Sequence, residues 1–238
     1  MVAWVCLLIV WVVWGSTYLA IRVGVETMPP LLMAAARNLV AGLIMFPAAM
    51  AARRRAVRAG RVVRRWPGRA EWIGCATVGV LLLVANGAVG IGEKTIPSGL
   101  AALLVATVPL WLLGIDAVLN HARLGLAPAA GLALGLAGVG LLSGLGGGSG
   151  RISAVGVVVI LAAAFTWALG TIMTRRVTIP SSPALASGME LLCGGVALLA
   201  MGAAAGEFGS LHLAGVSWRS WLALGYLIVV GSIVAFSA

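Results

Sequence analysis

Residues 14–42 read WGSTYLAIRVGVETMPPLLMAAARNLVAG, and residues 167–195 read WALGTIMTRRVTIPSSPALASGMELLCGG. Laid over one another at an offset of 153, Trp14 meets Trp167, Arg22 meets Arg175, Pro30 meets Pro183 and Gly42 meets Gly195. At the same offset Arg37 meets Glu190, a polar position kept with its charge reversed. Self-similarity at a fixed offset marks a duplicated unit. The spacing places the first copy over 1–143, a Gly-rich linker over 144–152 and a second copy over 153–238.

What kind of unit is duplicated follows from the composition around it. Hydrophobic residues make up 62% of the 238, charged ones 9%, and the mean hydropathy is +1.12. A soluble domain carries about a quarter charged residues, so this chain cannot cover a water-exposed surface. Disorder, a disulfide-stapled secreted fold and a nucleic-acid binder defined by its charge of +10 are excluded on the same grounds. Cys6, Cys75 and Cys193 each sit inside an apolar run, without metal-ligand spacing, and read as small packing residues. The N-terminal run has no basic region before it and no small-residue cleavage pattern, so it reads as a first span rather than a signal peptide.

Apolar runs bounded by charge, Pro or Gly predict helices near 2–22, 30–52, 72–92, 97–115, 124–143, 153–173, 184–205 and 220–238. At roughly 20 residues per crossing, eight such helices use about 160 residues. The expected fold class is an all-α polytopic membrane protein. With the N-terminus in the cytoplasm, the inner loops hold the eight arginines from Arg53 to Arg69, then Arg123, Arg175 and Arg176. The opposite side receives Arg22, Lys94, Arg151 and Arg219. That asymmetry obeys the positive-inside rule. The Arg53–Arg69 loop itself has two readings, nucleic-acid phosphates or topology with anionic lipid headgroups. Only Trp66 interleaves for base stacking, so lipid is preferred and no nucleic acid is expected.

The first copy holds five spans, an odd number, so the second enters the membrane from the other side. Inverted five-helix repeats of this kind recur in secondary transporters, with the substrate site at the repeat interface. Aligning Trp221 on Trp72 leaves the second copy short by about two spans. The expectation is a ten-span architecture with about eight spans present, through C-terminal truncation, or else a true eight-span variant.

The segment WGSTYLAIRVGVETMPPLLMAAARNLVAG and the segment NGAVGIGEKTIPSGLAALLVATVPL at 86–110, with Pro-Ser-Gly-Leu-Ala-Ala opening span four, resemble EamA-type proteins of the drug/metabolite transporter superfamily. The resemblance covers essentially the whole chain. It implies two five-helix repeats, a multi-pass bacterial inner-membrane location and both termini cytoplasmic. It also implies export of a small metabolite, amino acid or amphipathic compound by alternating access. A non-transporting membrane subunit or a truncated fragment is the alternative, and an intramembrane enzyme the weakest reading. His121 and His212 fall in loops on opposite sides, and no G-x-S-x-G, H-E-x-x-H or Walker motif is present. No catalytic residue, cofactor or metal is expected.

The expected cavity residues are Trp14, Tyr18, Arg37, Asn86, Trp167, Thr171, Glu190 and Tyr226. Trp11, Trp14, Gly15, Tyr18 and Arg22 share one helical stripe, and Trp167, Thr171 and Arg175 the matching one. Tryptophans also form interfacial belts, but Trp14 and Trp167 lie too deep for one. Trp66, Trp72, Trp218 and Trp221 sit at span ends as belt residues. Arg37 and Glu190 are intramembrane charges, costly enough to suggest function. Their spans enter from opposite faces, which opposes a direct pair and leaves neutralisation by helix ends or water as the bland alternative. Glu190, with Glu93 behind it, is the proton-coupling candidate. Asn86 reads as a helix bridge or a solute contact, Pro109 as a gating or static kink in span four. Gly131, Gly135, Gly140 and Gly144 suit close helix packing in span five, with a homodimer left open.

Overall fold

The computed structural model describes residues 2–60, 66–120, 130–131, 133–134, 137–138 and 153–234. Most of the expected fifth span, the 144–152 linker, His121, and Arg61, Arg64 and Arg65 lie outside the described residues. The described chain is helical throughout, without a strand.

Helix α1 runs Val2–Gly24 and α2 runs Pro30–Arg58, joined by a tight turn that ends in Pro29 and Pro30. Pro30 occupies the first helical position of α2, where its missing N–H costs nothing. The next two amides, of Leu31 and Leu32, donate to the carboxylate of Glu207 at 3.3 and 2.9 Å. A carboxylate suits the positive end of the helix dipole as well as the orphan amides. At the other end, Gly60 closes α2 with φ of +69°, a conformation that glycine adopts without steric cost. Helix α3 is Arg69–Glu93, and its first turn is tied by Glu71, whose carboxylate accepts the Gly68 amide at 2.6 Å.

Span four is broken. It forms α4 (Ser98–Val105) and α5 (Val108–Leu119), with Pro109 in the first turn of α5. Because proline cannot donate to the turn before it, the ladder stops at Ala106 and Thr107. The Thr107 hydroxyl donates to the Leu104 carbonyl at 2.6 Å, and the Trp111 indole donates to that hydroxyl at 3.2 Å. The second half contains α6 (Ala154–Met173), α7 (Pro183–Ala204), the short α8 (Glu207–Ser210) and α9 (Trp218–Ile228). Beyond α9 the backbone widens into a π-helical stretch, Val229–Val234.

By length and composition, five helical stretches among the described residues suffice to cross a membrane: α2, α3, α4 with α5, α6 and α7. The 23 residues of α1 span about 35 Å, the thickness of a bilayer core. Large apolar side chains on these helices face outward, Leu43 at 64% and Val155 at 73% exposure among them, which only a lipid surround makes favourable. The molecule is an all-α polytopic membrane protein.

Small residues set its centre. A Cβ placed on Gly42 of α2 would stand 2.9 Å from the Leu192 side chain of α7, and one on Gly195 of α7 would stand 2.8 Å from the Leu39 side chain of α2. Between α3 and α7 the approach is closer still, with the Glu190 carbonyl against Gly79 and the Gly79 carbonyl against Gly194. Without a hydrophobic force between helices in lipid, such backbone contact supplies the packing. Around it Leu31, Ala35, Ala41, Met45, Leu83, Leu191 and Leu198 form one buried cluster.

Candidate functional site

One cavity in this bundle combines aromatic rings with a buried cation. Its walls come from α1 (Trp14, Thr17, Tyr18, Ile21), α2 (Arg37), α3 (Asn86, Val89), α4 (Val105), α6 (Trp167) and the π-helical stretch (Gly231). The cavity between them is small, about 30 Å³, room for about two waters, and partly open. Helical spacing explains the α1 wall, since positions 14, 17, 18 and 21 follow one face. Opposite, α6 brings Trp167 against Trp14, with ring centroids 5.2 Å apart and planes at 70°. That edge-to-face geometry is favourable for aromatic quadrupoles.

Arg37 is 4% exposed. Its Nε donates to Ser232 Oγ at 2.9 Å, its Nη1 to Asn86 Oδ1 at 3.3 Å and its Nη2 to the Gly231 carbonyl at 3.0 Å. Ser232 and Gly231 both lie in the π-helical stretch. Widened turns of this kind present backbone groups outward and gather at functional sites. Asn86 is therefore both a cavity wall and the bridge from α3 to α2.

Five of the eight expected residues are brought together here: Trp14, Tyr18, Arg37, Asn86 and Trp167. The other three stand elsewhere. Tyr226 shares a 2.6 Å hydrogen bond with Ser16 Oγ and lines an open apolar groove between α1 and α9, beside Trp218 and Leu222. It lies on the outer face of α9, whereas Gly231, farther along, reaches the cavity. The Thr171 hydroxyl donates to the Trp167 carbonyl at 3.0 Å. Glu190 is buried in the α3–α7 contact, 8% exposed, and its backbone rather than its carboxylate meets Gly79. Arg37 and Glu190 form no ion pair.

Glu93 is 0% exposed, and neither carboxyl oxygen has a hydrogen-bond partner among the described residues. Its backbone carbonyl accepts from Arg22 Nη1, and Tyr18 and Arg22 of α1 are its electrostatic neighbours. Residues missed in the sequence are Thr17, Ile21, Val89, Val105, Gly231 and Ser232, all uncharged. Nothing in their type signals a site; only the helix faces assembled by packing do. Asn38, next to Arg37, is fully buried with its amide unbonded among the described residues, and the geometry offers no physical account of it.

The belt tryptophans divide as well. Trp66 lies under the Arg54 guanidinium at 5.5 Å, and Trp218 under that of Arg219 at 5.9 Å. Trp72 packs against Phe46 at 5.7 Å. No group of His, Cys, Asp or Glu suited to a metal ion occurs among the described residues.

A model of the EamA-like transporter family matches residues 2–144. The chain belongs to that family. The inner membrane transporter YedA of Escherichia coli (strain K12), itself described as uncharacterized, is 36% identical over 230 residues, covering 96% of this chain and 70% of that protein. The uncharacterized transporter YvbV of Bacillus subtilis (strain 168) is 28% identical over 95% of this chain and 71% of its own length. A probable amino-acid metabolite efflux pump of Salmonella typhimurium is 32% identical over 71% of this chain and 52% of that protein. No solved structure matches the chain. The EamA family and these relatives are transporters rather than enzymes, and the chain is a multi-pass membrane transporter of that class.

Proposed function

We propose that this EamA-family chain is a secondary transporter exporting a small metabolite, amino acid or amphipathic compound by alternating access between inverted repeats. The observation that carries the proposal is the Trp14–Trp167 contact at the cavity wall. Equivalent positions of two copies touch only where the copies meet, and inverted-repeat transporters bind solute there. The crossed contacts Gly42 with Leu192 and Gly195 with Leu39 support the same relation, because Leu39 and Leu192 are also 153 apart. The efflux-pump relative supports the solute class by its name alone.

An inner-membrane setting with the N-terminus in the cytoplasm is supported by how contacts group the charges. Arg53 meets Glu71 at 3.8 Å, and Gly74 abuts Thr178 beside Arg175 and Arg176, so these basic ends share one face of the bundle. Thr27, Glu207 and Ser217 share the opposite face. A basic face suits cytoplasmic anionic headgroups. Between the two buried carboxyls, Glu93 is the better coupling group: it neighbours Tyr18, a cavity wall, whereas Glu190 stands away from the cavity.

The test is solute efflux from proteoliposomes holding the purified chain, across amino acids and amphipathic drugs. Saturable flux above protein-free vesicles is expected; none for any solute would reject the transporter proposal and favour a non-transporting subunit. For orientation, a cytoplasm-active reporter fused after Arg65 should work and one fused after Ser149 should not. The reverse pattern would overturn the assignment.

A further inference from the structure

We infer that Arg37 anchors a carboxylate on the transported solute, making the substrate a small monocarboxylate with an apolar or aromatic body. This rests on the transporter proposal and narrows it.

A guanidinium stays charged whatever its surroundings, and a buried charge is normally paired. Among the described residues Arg37 has no such partner. All six side-chain carboxylates of the chain fall in the described residues, and each is placed elsewhere. Glu71 faces Arg53, Glu207 caps α2, Asp116 accepts the Asn120 amide, and Glu26 is exposed in the α1–α2 turn. Glu93 and Glu190 are buried without an ion pair to Arg37. The three acceptors on Arg37, a hydroxyl, an amide oxygen and a backbone carbonyl, hold the guanidinium in place but leave its charge uncancelled.

The hydrogen-bond count agrees. Of five N–H groups, three are engaged, leaving one on each terminal nitrogen without an acceptor among the described residues. Two donors on one planar group match the two oxygens of a carboxylate. Arg37 is the single basic side chain among the cavity's described walls, so a monoanion is balanced and a dianion is not. The remaining walls are rings and aliphatic groups, Trp14, Tyr18, Trp167, Ile21 and Val89, which suit an apolar body once the helices part to admit one, since the present space of about 30 Å³ holds only water.

The probes are phenylacetate and its neutral amide, phenylacetamide, titrated calorimetrically into the purified chain in lipid nanodiscs. Phenylacetate should bind about tenfold more tightly, the scale of a charged hydrogen bond. Arg37→Gln should abolish the difference and Arg37→Lys keep part of it. Equal binding in the wild type, or a difference that survives Arg37→Gln, overturns the inference. Should Arg37→Gln not fold, 2-phenylethylammonium is added as a cationic probe of the wild type. The order acid, amide, cation supports the anchor and any other order rejects it. The two failures are distinguishable: equal flux of acid and amide sinks this inference alone, while acid-selective binding with no flux rejects transport and leaves Arg37 only as a carboxylate-binding group.

Discussion

The indole rings of Trp14 and Trp167 meet edge to face, 5.2 Å between centroids, across a separation of 153 positions. Both are half-buried, and both are walls of the cavity that holds Arg37. Such a contact is what the proposed twofold relation between two copies would produce at its axis. Each ring thus has two neighbours, its counterpart and the cavity, and the two roles separate experimentally.

Trp14→Ala and Trp167→Ala should each lower solute flux per folded molecule while the protein still inserts. The rings are only part-buried, so the loss of stability should fall short of the roughly 3–5 kcal/mol of a fully buried aromatic. Detergent melting and proteoliposome flux are measured together. A lowered melting temperature with flux per folded molecule unchanged would assign the pair to packing alone.

The crossed α2–α7 contact makes a symmetric prediction. Gly42→Val and Gly195→Val each drive a side chain into a leucine of the other helix, and should destabilise by about 1–3 kcal/mol each. Gly15 is the control, because a methyl group added there would meet nothing within 4 Å. Gly15→Ala should not lower the melting temperature. One valine variant tolerated and the other not would break the proposed equivalence.

Glu207 caps α2 from 175 residues away. Glu207→Ala should cost about 1 kcal/mol, the usual value of a lost helix N-cap, while Glu207→Gln keeps an acceptor and should cost less. Thermal melting in detergent reads both, and an Ala variant as stable as wild type would show that water replaces the carboxylate.

If flux is proton-driven, Glu93→Gln should flatten its pH dependence and Glu190→Gln should leave it. The charged and titratable neighbours of Glu93 are Arg22 and Tyr18 of α1 and the adjacent Lys94. Those of Glu190 are Cys75 and Cys193. Flux against external pH decides, and the opposite pattern would return the coupling role to Glu190.

The sequence by itself determined that this is a helical membrane protein and where its intramembrane charges and deep tryptophans lie, and its self-similarity at an offset of 153 is the ground for the proposed duplication. Composition, apolar run length and self-alignment are one-dimensional quantities, so a chain states them directly. The break at Pro109 was legible for the same reason, because a missing N–H acts within its own helix. Packing alone decided which faces meet. Arg37 found Asn86, Gly231 and Ser232 rather than Glu190 because its side chain leaves α2 toward α3 and the π-helical stretch, whereas Glu190 sits where α7 packs on Gly79 of α3. Tyr226 went to an outer groove and Gly231 to the cavity for a related reason. Which side of a helix becomes a wall depends on the rotation and crossing of its neighbours, and backbone contacts at Gly42, Gly79, Gly194 and Gly195 set those only once the bundle has assembled.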